Sequence, residues 1–109
     1  MMMFCSFGKK PLILRLHGRG RAIEKTDPDF AKLAPQFSDL PAVRAIIKLE
    51  IERIADSCGW GVPRYEYAGT REQYLSYADK LGPDGLREAQ LESNMTSIDG
   101  LKGLDEPSL

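Results

Sequence analysis

Asp56-Ser57-Cys58-Gly59-Trp60-Gly61-Val62-Pro63 divides the chain into two halves of different character. It holds the sole tryptophan, one of the two cysteines, two glycines and a proline. Glycine permits positive φ and close backbone approach. Pro63 fixes its own φ and biases Val62 toward an extended conformation. The stretch reads as a shaped turn that carries a large flat ring. Two uses of Trp60 stay open, a plug for a core and a wall for a planar ligand.

Upstream the chain is apolar and strand-like. Met1 to Phe7 opens without cap or polar lead-in and reads as a buried strand. Gly8-Lys9-Lys10-Pro11 is a turn. Leu12 to Glu24 reads as a long strand, because Leu12, Leu14 and Leu16 alternate with Ile13, Arg15 and His17. Gly18 and Gly20 inside it point to a bend, a bulge or a close approach by other backbone. Together the two segments predict an antiparallel hairpin. Thr26-Asp27-Pro28-Asp29 starts a helix, with Thr26 or Asp27 as cap and Pro28 in the first turn. Pro35 makes that helix short or irregular at its end. Residues 42–55 fit both a helical stripe and strand alternation; their isoleucines favour the strand.

Downstream the punctuation is helical. Tyr65-Glu66-Tyr67 reads as a short extended segment. Thr70 and Gln73 have the spacing of a capping box. A helix follows to Leu81, with Tyr74, Leu75, Ala78 and Leu81 on one face. Gly82 ends it and Pro83-Asp84 begins another that reaches Asn94, with Leu86, Ala89 and Gln90 inward. The tail is expected to pack through Ile98 and Leu101, and 105–109 to fray.

The chain has 109 residues, enough for one small domain. Residues 1–63 would supply strands and one short helix, and 64–109 a helical region. Fifteen basic residues against sixteen acidic ones give a net charge of −1, which offers nucleic acid or an anionic membrane no global attraction. No apolar run approaches the ~20 residues of a membrane span. Cys5 and Cys58 lack metal-ligand spacing, and a reduced cytoplasmic setting is the simpler reading.

Arg15, His17, Arg19 and Arg21 project to one side of the second strand, about 6.6–6.8 Å apart. Such a row can hold a phosphate, because guanidinium groups bind its oxygens bidentately. The commoner arrangement is a solvated face neutralised by acids such as Glu50 and Glu52. His17 has no second histidine or clustered cysteine, so a metal or Cys-His site gains no support. Trp60, Tyr65 and Tyr67 form either a cofactor wall or a small satellite core.

Four blocks carry a family likeness. They are Met3-Phe4-Cys5-Ser6-Phe7, Ile13 through Arg21, Ser57 through Pro63, and Ser97-Ile98-Asp99-Gly100-Leu101. In this order they resemble the pyridoxamine 5′-phosphate oxidase-like family of FMN-binding split β-barrels. The resemblance implies an α+β fold, a partial antiparallel split barrel followed by C-terminal helices. It implies that 42–56 is a strand. It further implies a homodimer with FMN between subunits, and oxidoreductase chemistry on a small-molecule substrate that it does not specify. Arg15, His17, Arg19 and Trp60 are the cofactor-contact candidates on this chain. Family members carry a further N-terminal half-barrel, so the resemblance also implies a truncated member. The alternative reading is a non-catalytic dimerisation or small-ligand-binding module.

Overall fold

The computed structural model describes residues 1–39 and 41–104. In chain order they form β1 (Met2–Cys5), β2 (Ile13–Glu24), α1 (Pro28–Leu33), a 3-10 turn (Ala34–Gln36), β3 (Ala45–Ser57) and α2 (Gln73–Asn94). The strands make one open antiparallel sheet in the order β1-β2-β3. The fold is thus α+β, part of a split-barrel sheet plus helices, as expected.

β1 and β2 form the predicted hairpin. Met2 faces Leu16, Met3 faces Arg15, Phe4 faces Leu14 and Cys5 faces Ile13. The Ser6 amide donates to the Leu12 carbonyl at 2.9 Å and closes the connection. The buried strand expected over residues 1–7 is corrected, since Met3 and Phe4 are exposed and none of residues 1–7 is buried.

β3 resolves the ambiguous segment as a strand. It begins later than the resemblance implies, because Pro41 and Ala42 form a turn in which Ala42 takes φ 60°. In α1, Asp27 is the cap and accepts from the Asp29 amide at 2.9 Å. Pro35 converts the end of α1 to a 3-10 turn, as its missing N–H requires.

α2 differs at its start. The Thr70 capping box does not form; the cap position is Glu72, which makes no side-chain cap bond. Thr70 Oγ1 instead pairs with the Tyr67 hydroxyl at 2.7 Å. Gln73 becomes the first helical residue rather than the third. The expected break is present, with Gly82 at φ 66° and ψ 177°.

The chain divides into two compact units. One comprises Met1–Arg21 and Ile47–Thr70, the other Ala22–Ile46 and the chain from Arg71 onward. All buried apolar side chains among the described residues, Ile23, Ile46, Ala78, Leu86 and Leu104, belong to the second unit. The sheet-rich first unit instead leaves Met3, Phe4, Phe7, Ile47, Ile51 and Ile54 about half exposed or more.

The tail also departs from expectation. Ile98 and Leu101 are exposed, and Leu104 is the buried anchor. The Gly103 and Leu104 amides donate to the carbonyls of Met95 and Asn94, so backbone bonds fold the tail back. The fraying expected of residues 105–109 lies outside the described residues. No helix among the described residues is long and apolar enough to cross a membrane.

Candidate functional site

The basic row on β2 is the densest grouping of polar chemistry in the first unit. Alternation along the strand sets Arg15 and His17 on one face. β3 runs antiparallel beside them and supplies a partner to each. Arg15 Nη1 donates to Ser57 Oγ at 2.9 Å. Arg53 Nη2 donates to His17 Nε2 at 3.0 Å. Arg19 Nε meets Glu52 Oε1 at 3.1 Å, with both side chains exposed. The neutralised-face reading therefore holds at Arg19, through one of the two expected acids. An exposed pair of this kind contributes only about 0–1 kcal/mol.

The Arg53–His17 contact fixes the state of the imidazole. A guanidinium only donates, so Nε2 must accept, and His17 must be neutral there. Half-burial pushes its pKa below the ordinary 6.5, followed by the positive charges of Arg53, the N-terminal ammonium and Arg15. The folded state then binds fewer protons than the unfolded chain as pH falls through 6.5. His17's contribution to stability is complete above that value and is lost progressively below it. In an NMR titration His17 should show a midpoint below 6.5. The variant Arg53→Gln should move that midpoint up; an unmoved midpoint would mean that Arg53 does not act on the imidazole.

Arg15 and Arg53 each use one of five N–H donors in these contacts, which leaves a fork available on each. With the Ser57 hydroxyl they form a donor-rich cluster suited to an anion such as the phosphate of FMN. Arg19 suits it less, because a carboxylate already faces its Nε.

Trp60 is not a core plug, for 82% of it is exposed. The turn that presents it closes with the Val62 amide on the Gly59 carbonyl at 2.9 Å, and Gly59 takes φ 66°. The ring faces of Trp60 are thereby available for stacking. The satellite core of Trp60, Tyr65 and Tyr67 does not form. Tyr65 packs against Phe7, centroids 5.4 Å apart, and its amide donates to the Phe7 carbonyl. Tyr67 remains exposed with its hydroxyl on Thr70.

Sequence reasoning missed Arg53 and Ser57. Arg53 lies in the segment whose period fitted helix and strand alike, and Ser57 in the turn stretch that follows it; both belong to β3. Read as a strand antiparallel to β2, that segment brings Ser57 beside Arg15 and Arg53 beside His17. The signal was a cross-strand register, which no single-strand pattern contains.

The chain is 33% identical, over 120 aligned residues, to a curated Aspergillus flavus protein described as pyridoxamine 5′-phosphate oxidase family protein ustO. The match covers 94% of this chain and 47% of that protein, so the chain spans about half the length of its relative. No family model matches the chain. No solved structure matches it. The likeness nonetheless supports, at low identity, the same pyridoxamine 5′-phosphate oxidase family that the four sequence blocks resemble.

Proposed function

We propose that the chain contributes the phosphate-binding side of an FMN-dependent oxidoreductase, acting as a homodimer on a small-molecule substrate in the cytoplasm. The observation that carries this reading is the pairing of Arg15 with Ser57 and of Arg53 with His17 on neighbouring strands. Bound FMN would supply redox chemistry at its isoalloxazine ring. The chain's own part is to hold and orient. Arg15 and Arg53 take the phosphate oxygens and Ser57 Oγ adds a polar contact. His17, kept neutral, steadies the Arg53 guanidinium by accepting from it. Trp60 offers an exposed ring against which a planar group can stack. Two free thiols, Cys5 and Cys58, fit a reducing compartment.

Flavin uptake tests the reading. The purified chain should quench FMN fluorescence on binding. Arg15→Gln and Arg53→Gln should each weaken uptake about tenfold or more, since each removes charge-assisted hydrogen bonds. Arg19→Gln should change it little. Failure of the chain to take up FMN would end the proposal.

The non-catalytic dimerisation module has one observation in its favour. The first unit exposes Met3, Phe4, Phe7, Ile47, Ile51 and Ile54 among other large hydrophobic side chains and buries none among its described residues, and such surface favours association. A colourless dimer that refuses added FMN would replace the first reading with this one.

A further inference from the structure

A second place in the molecule carries unmatched chemistry, wholly within the unit that holds the apolar core. A cavity of about 430 Å³ lies between Asp39, Pro41 and Ala42 on one side and the break in α2 on the other. That volume falls within the range of small-ligand pockets. Its walls combine apolar residues, including Ala42, Ala78 and Leu86, with polar and charged ones.

Gln90 lines this cavity and is nine-tenths buried. Its Nε2 donates to the Ala42 carbonyl at 2.9 Å. That bond fixes the amide's orientation, since a flip would set two acceptors against each other. Its Oε1 is left buried with no hydrogen-bond partner. Orphaned buried acceptors are uncommon and costly, and a ligand donor is one way to satisfy them. Four charged side chains also line the cavity, Lys25 and Arg87 against Asp39 and Asp79.

We infer that this cavity binds a zwitterionic small molecule of the amino-acid class. Its carboxylate would sit toward Lys25 and Arg87. Its ammonium would sit toward Asp39 and Asp79 and donate to Gln90 Oε1. The charge balance decides between ligand classes. Two cations offset by two carboxylates disfavour a phosphate, which a site built for it would not face with acids. The apolar walls leave room for an aliphatic side chain. This inference stands apart from the flavin proposal, whose residues belong to the other unit.

The test is an amide NMR titration of the whole chain with glycine, L-alanine and L-leucine, and with inorganic phosphate, acetate and methylammonium as controls. The amino acids should shift the Gln90 side-chain amide and the Ala42 and Gly82 backbone amides saturably, and more tightly than either half-ligand. Gln90→Leu should weaken that binding about tenfold, as expected for the loss of a hydrogen bond to a charged group. Arg87→Gln, at a half-buried site, should weaken it similarly and guards against a misfolded Gln90 variant. Saturable phosphate binding of equal strength would overturn the zwitterion assignment. So would the absence of any saturable amino-acid shift at these three residues.

Discussion

Replacing Gly18 by alanine should unfold the sheet or force its strands apart. A Cβ built on Gly18 lies 1.8 Å from the Glu50 carbonyl oxygen and 2.8 Å from its carbon. Both atoms are backbone of the neighbouring strand, so no side-chain rotation can relieve the contact. The loss should exceed the ~1–3 kcal/mol of ordinary overpacking, because relief requires breaking the ladder itself. Gly20 supplies the control from the same strand. Nothing lies within 4 Å of a Cβ placed there. Gly20→Ala should therefore be neutral or stabilise by about 0.4–1 kcal/mol, through the unfolded chain. Chemical denaturation of both variants decides the matter. Equal midpoints would mean that the close approach of Gly18 to Glu50 is not a feature of the folded protein in solution.

Ile23→Ala should cost about 2–5 kcal/mol. Ile23 is the largest fully buried side chain among the described residues, in a unit whose buried apolar set is short. A chain of this size has about 5–15 kcal/mol of stability in total, so the loss is a large fraction of it. Thermal unfolding followed by circular dichroism should show the midpoint fall by about 10 °C or more. Ile23→Val removes one methyl group and should cost about 0.5–1.5 kcal/mol. If the alanine variant melted no lower than the valine variant, the packing around Ile23 would be loose rather than close.

The contrast between local and long-range information explains what the sequence could disclose. β2 was legible almost residue by residue, since the leucine alternation and the basic row both have a period of two. Asp27 and Pro28 announced α1, because capping depends on neighbours in the chain. The Gly82-Pro83 break was legible for the same reason. Burial was not. Trp60, Ile98 and Leu101 are apolar enough to be core, yet whether a surface exists to cover them depends on distant residues. Thr70 does not cap; its hydroxyl pairs with Tyr67 and the helix starts two residues after the position it was expected to cap. Within the candidate site, Arg15, His17 and Arg19 came from strand alternation. Arg53 and Ser57 needed the pairing of β3 with β2, whereas Glu52 was already expected as an acid neutralising the basic row.

The break at Gly82 also reorganises the electrostatics of α2. Lys80 and Asp84 stand four apart, with the cation on the N-terminal side, which is the weaker orientation for a pair on a continuous helix. At ψ 177° the peptide units before and after Gly82 no longer line up, so their dipoles sum as two shorter ones. Lys80 then occupies the last turn of the first half, where partial negative charge collects. Asp84 occupies the first turn of the second half, where partial positive charge collects. Each residue is favourably placed only because the dipole is divided. One glycine thus turns an indifferent charge pair into two helix-end complements in the middle of the α2 segment.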